Sequence, residues 1–236
     1  VAASAATATR LAQGAYPGNS MDQVKWVGTI GADYGVIAVA GDSDVVTLGE
    51  LLENLKTKPK KWVIGGGSAV GGWDHLKVLM AAKEYGISNV RKIKYVSFDG
   101  GGDAVTQLLA GNVKIFTGDV SEIKGFVDAG DIKIIAVLSP DRLPGDFSKF
   151  YTAREQGVNV VGANWRGFYV PKGMSDDAYN FWAGAIKKMY DTPQWKKTMA
   201  KNGLAPLDLS GKAFEAFVAN SVASIQTISK QIGIIK

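Results

Sequence analysis

The chain has no cysteine and one histidine, His75. Without thiols there are no disulfides, no thiolate metal sites and no cysteine nucleophile. One imidazole leaves no His/Glu metal spacing, so no metal is expected. No apolar run is long enough to cross a bilayer. "YGVIAVAG" and "IKIIAVL" fall far short of a span, which excludes direct membrane insertion by a helix. Nucleotide fingerprints are also missing. Gly65 and Gly67 satisfy G-x-G, but Val70 stands where the last glycine belongs. Starting instead from Gly67, the pattern fails at Ala69. No G-x-x-x-x-G-K-[ST] loop occurs, so no cofactor is expected. Long basic tracts are absent too. The net charge of +5 is spread over "KTKPKKW", "RKIK" and "QWKK". That reads as a solvated surface with a mild pull on small anions, and it disfavours nucleic acid as a partner. The opening "VAASAATATRLAQGAYPG" has neither an initiator Met nor a charged region before an apolar stretch. The chain is therefore expected to begin after processing or truncation.

What is present is an ordinary globular composition in 236 residues, 46% of them hydrophobic, enough for one large domain or two small ones. Residues 1–13 are Ala-rich and helix-prone. "VKWVGTIG" and "YGVIAVAG" read as two strands. Thr47 with Glu50 three residues later marks a helix start. Helix and strand then alternate four times over residues 47–139, the pattern of βαβ units and a parallel sheet. "YTAREQG" reads as a short helix, and "VNVVGANWRGFYVPKG" as two extended pieces around Asn164 and Trp165. The tail reads as helices over 175–190, 193–202 and about 211–232. The expected organisation is a discontinuous first lobe, 1–42 with 164–236, and an inserted second lobe, 43–163. The fold class is α/β.

Two glycine clusters carry the functional signal. "GGGSAVGG" (65–72) joins a strand to a helix, and free amides at such a helix start bind carboxylate or phosphate readily. The plain alternative is a tight turn with no ligand. "DGGGDAV" (99–105) repeats the device one unit later. Consecutive βα loops share the C-terminal edge of a parallel sheet, which makes a common anion site more credible. A Ser68–His75–Asp74 triad is unattractive, because adjacent Asp and His on a helix point to different faces. No G-x-S-x-G elbow is present either, so the chain is not read as an enzyme. In "ANWRGFYVPKG", Arg166 either pairs with an internal acid or grips a carboxylate with its planar fork.

These stretches resemble the substrate-binding proteins of tripartite tricarboxylate transporters, the TctC or Bug family. The matching pieces are "LGELLENLKTKPKKWVIGGGSAVGGWDHL", "IKYVSFDGGGDAVTQLLAGNV", "AGDIKIIAVLSPDRLPG", "TAREQGVNVVGANWRGFYVPKGMSDDA" and "WKKTMAKNGLAPLDLSGKAF". They run in order from about residue 25 to the end. The resemblance implies a two-lobed, type II periplasmic-binding-protein-like fold, a Venus flytrap with parallel-rich sheets flanked by helices. It implies a periplasmic, monomeric receptor for a small di- or tricarboxylate such as citrate. Such a receptor holds its ligand in the cleft between lobes and delivers it to a membrane permease. The candidate site residues it implies are Gly67, Ser68, Ala69, Val70, Gly71, Gly100, Gly101, Gly102, Trp165 and Arg166. Trp73 and Asp119 stand where the resemblance implies smaller or uncharged residues, and Asp119 is counted among the candidates. The family's opening strand, glycine loop and helix have no match here, so the first lobe is expected to be incomplete. Two alternatives remain: a carboxylester hydrolase using Ser68 and His75, and a cytosolic effector-binding regulatory domain.

Overall fold

The computed structural model describes residues 1–235. The chain divides into two compact units. One is Val1–Asp33 with the chain from Asn164 onward, and the other is Tyr34–Ala163. Residues 34–42, grouped with the first lobe on sequence grounds, fall in the second unit.

The first unit opens with β1 (Ala2–Ser4) and α1 (Ala5–Ala12), where the sequence suggested helix alone. Ser4 ends the strand and caps the helix, its Oγ accepting from the Ala6 amide while the Ser4 amide donates to Thr7. β1 runs antiparallel to β7 (Ala163–Pro171). Three helices complete the tail: α6 (Asp176–Asp191), α7 (Pro193–Lys201) and α8 (Gly211–Gln231). Small side chains on α1 (Ala5, Ala8, Ala12) bring it close to α8. The core centres on edge-to-face rings: Trp165 lies 6.0 Å from Trp26 and 5.3 Å from Phe214.

β2 (Val24–Ala40) runs through the division as one strand. The sequence suggested two, broken at "GAD". Gly31 interrupts the alternation, but its left-handed φ of 133° is absorbed without ending the strand. Backbone partners hold it on both sides: Ala32 bonds Ala205, while residues 35–40 pair with β5 and β6.

The second unit is a mixed sheet flanked by helices. Its further elements are α2 (Leu48–Thr57), β3 (Ile64–Gly66), α3 (Trp73–Glu84), β4 (Tyr95–Ser97), α4 (Gly101–Leu109), β5 (Ile115–Asp119), α5 (Val120–Ala129) and β6 (Ile132–Val137). The strand order is β6–β2–β5–β3–β4, with β3 parallel to both β4 and β5. β2 lies antiparallel between β5 and β6, so the other four strands all point one way around a single reversed strand. Val36–Val39 and Ile115–Asp119 are buried, as expected for strands covered on both faces. The Thr47–Glu50 capping box forms at α2. Residues 151–157, read as a short helix, form a bridge at Thr152 and turns over 153–157 instead. The Thr152 amide bonds Glu155, and the Ala153 amide is taken by Val137 of the sheet.

Candidate functional site

Three βα loops meet at the carboxyl edge of β5, β3 and β4, the edge where open α/β sheets collect ligands. The first is 67–72, between β3 and α3. The second is 98–100, before α4. The third is the junction of β5 with α5. The first two loops pack backbone on backbone: a Cβ on Gly67 would stand 2.6 Å from the Gly100 carbonyl carbon and 2.7 Å from the Gly101 nitrogen. Only glycine permits that approach, so the spacing of the cluster serves packing as well as exposure.

Inside the first loop most polar groups are committed. Ser68 Oγ accepts from the Asp74 amide (3.0 Å), capping α3 from within. The Gly71 amide donates to His75 Nδ1 (3.0 Å), and the Gly72 amide to the Ala69 carbonyl (2.7 Å). Gly71 takes φ 81°, a left-handed turn conformation that favours glycine. Tyr95 pins the loop from β4. Its Oη donates to the Ser68 carbonyl (2.8 Å), and its ring stacks on His75 at 4.4 Å. Burial lowers the His75 pKa to about 4, so the ring is neutral and its Nδ1 stays an acceptor. Burial raises the Tyr95 hydroxyl to about 12. Only the tip is open. Ala69 and Val70 are exposed, and no acceptor among the described residues takes their amides.

The third loop carries a buried ion cluster. Lys77 is fully buried on α3, and Gly35 and Gly162 leave room for its stem. Its ammonium donates to Asp119 (2.6 Å) and to the Gly118 carbonyl (2.7 Å), and pairs with Asp74 (3.0 Å). Burial alone would lower the Lys77 pKa. The charges of Asp119 and Asp74 outweigh it and hold the value above the ordinary lysine range. Glu122 completes a capping box at α5, accepting from the Asp119 amide at 2.8 Å. Its carboxylate also crowds Gly101 at the start of α4, where any Cβ would collide with it.

The structure thus brings Gly67, Gly100 and Gly101 together and sets Ser68 beside Tyr95. Gly102 is exposed, with nothing near its Cα hydrogen. Asp119 is committed to Lys77. Trp165 and Arg166 lie in the other unit. Trp165 is 1% exposed in the aromatic core, a packing position. Arg166 pairs across β1–β7 with Ser4 and donates to the Asn164 carbonyl (3.0 Å). Ser68 and His75 have separate partners, so no nucleophile–base pair forms. Among the described residues no group of three His, Cys, Asp or Glu could hold a metal. Sequence reasoning missed Lys77, Tyr95 and Glu122. Lys77 sits in "HLKVLMAA", apolar on both sides, which signals a lysine drawn inward. Asp119-x-x-Glu122 is a legible capping box.

A model of the tripartite tricarboxylate transporter family receptor matches residues 3–234. The chain belongs to that family. Among curated relatives, a UPF0065 protein from Cupriavidus necator is 23% identical over 206 residues, covering 87% of this chain and 61% of its own length. The chain spans about three-fifths of the length of the curated relatives it matches. A TctC solute-binding protein from Polaromonas superposes with a TM-score of 0.80 at 22% identity, covering 98% of this chain and 76% of that one. MatC from Rhodopseudomonas palustris, solved with bound malate, gives 0.77 at 15% identity, covering 96% and 77%. At such identities the likeness establishes the fold. Family and fold are those of substrate-binding proteins, not enzymes. Among the described residues, no helix is long and apolar enough to cross a membrane.

Proposed function

We propose that the chain is the solute-binding part of a periplasmic receptor that takes a small carboxylate and hands it to the permease of a tripartite tricarboxylate transporter. It works as a monomer. One ligand carboxylate sits at the tip of the first loop. The observation that carries this reading is the pair of exposed amides at Ala69 and Val70, without acceptors, just before α3. A helix start favours negative charge by about 0.3–1 kcal/mol. Hydrogen bonds donated to a charged ligand add roughly 1.5–3 kcal/mol each. Two such bonds outweigh the dipole, so geometry at the tip decides affinity. Gly67, Ser68 and Gly71 shape the loop, and Gly100, Gly101 and Gly102 border it. Malate, bound by one structural neighbour, is the first ligand to test.

Amide NMR during a carboxylate titration tests the reading. The Ala69 and Val70 resonances should move most. Saturable binding that leaves both unmoved would displace the site from this loop.

A further inference from the structure

The two glycine loops are alike in sequence but not in occupancy. α4 begins at Gly101 after Gly100, which offers no side-chain cap. Helix starts of this kind attract carboxylates, and here one from within the chain packs beside Gly101. The Glu122 carboxylate lies against both Gly101 and Gly118, where a Cβ on either would strike it. Glu122 is exposed as a residue, while its carboxylate is part-buried against the loop edge.

Resting on the receptor reading above, we propose that Glu122 is a specificity-determining residue. Its carboxylate fills the place of a second ligand carboxylate at the start of α4. The loop edge of this unit then takes one ligand carboxylate, at Ala69 and Val70. A second negative group directed at α4 meets an ionised Glu122 and is rejected. The charged groups around Glu122 reinforce this. Asp119 and Asp74 are both negative, Lys77 is already shared between them, and Asp103 follows in the first turn of α4. Burial of the carboxyl group, with the charges of Asp119 and Asp74, raises the Glu122 pKa against the opposing Asp119 amide and Lys77 charge. Rejection therefore weakens early as pH falls.

The capping role and the specificity role separate in Glu122→Gln. The amide oxygen still accepts from Asp119, and the charge is gone. Glu122→Met removes both the charge and the acceptor at similar length. Calorimetric titration would use three ligand pairs, each replacing one carboxylate by methyl: malate and 2-hydroxybutyrate, succinate and butyrate, glutarate and valerate. At pH 7.5 both variants should improve the dicarboxylate-to-monocarboxylate affinity ratio about ten-fold, as expected for removing one partly solvated like charge. Wild-type dicarboxylate affinity should approach that of Glu122→Gln as pH is lowered. A ratio unchanged within two-fold in both variants would overturn the role of Glu122 and leave the receptor reading standing. No binding of any of the six acids to wild type or variants would overturn both.

Discussion

The loops before α3 and α4 look interchangeable as sequence: each follows a short strand, is glycine-rich and opens a helix. In the structure they do different things. The first is pinned by Tyr95, capped by Ser68 and closed by His75, leaving an open tip at Ala69 and Val70. The second has no side-chain cap of its own and receives the Glu122 carboxylate from the third loop. A glycine cluster makes backbone accessible. Which group then reaches that backbone depends on side chains far along the chain.

The largest test of the contrast removes the ion that ties the first loop to the third. Lys77→Met would remove the cation that faces Asp74 and Asp119, both largely buried. Breaking a buried pair from one side costs about 3–5 kcal/mol. Urea unfolding should show a loss in that range, and adding Asp119→Asn should recover part of it. A loss near zero would mean that water already reaches the cluster.

His75 gives a pH-dependent test. Its folded pKa of about 4 lies below the usual 6.5. Above the unfolded value both states are neutral and the contribution is complete. Between 6.5 and about 4 only the unfolded state takes up the proton, so stability falls as pH falls. The total is about 3 kcal/mol at most. His75→Asn offers a similarly placed acceptor to Gly71 and does not titrate. Glu122, with its raised pKa, works in the opposite sense, so the informative quantity is wild type minus His75→Asn, measured by denaturation from pH 7.5 to 4.5. A flat difference would mean that His75 is not held neutral.

Glycine-to-alanine changes separate packing from exposure. Gly67→Ala drives a methyl into the Gly100–Gly101 backbone and should cost about 1–3 kcal/mol. Gly102→Ala meets nothing and should stay within about 0.5 kcal/mol of wild type. Equal melting shifts for the two would remove the claim that the loops touch.

Much of the second unit was legible, as was the helical tail of the first. The Thr47–Glu50 box, the βα alternation and the three tail helices all arise from local periodicity and capping, which a sequence carries. The single long β2 was not legible, because Gly31 and Asp33 look like a break until partners on both sides are known. The packing of Trp165, a candidate by resemblance, was hidden for a related reason. The rings that bury it come from Trp26 and Phe214, far away in sequence. Lys77 and Glu122 belong to the same class. Each has an ordinary local reading, a helix cation and a capping acid. Their importance comes from Asp119 in one case and Gly101 in the other.

A small loss discriminates best between the two loops. Tyr95→Phe keeps the ring against His75 and deletes one hydroxyl, the donor to the Ser68 carbonyl at 2.8 Å. A net hydrogen bond of this kind is worth about 0.5–1.5 kcal/mol. The Ser68 carbonyl is only part-buried and water can replace the donor, so the loss should fall near the lower end. The effect should be local, because Tyr95 bonds the first loop. Hydrogen exchange should quicken at Ser68, Ala69 and Val70 while Gly100–Gly102 change little. Carboxylate affinity should drop a few-fold, since a looser tip must be ordered on binding. If exchange quickens equally in both loops, Gly67 and Gly100 lock them into one body. The difference between the loops would then lie only in the charge of Glu122.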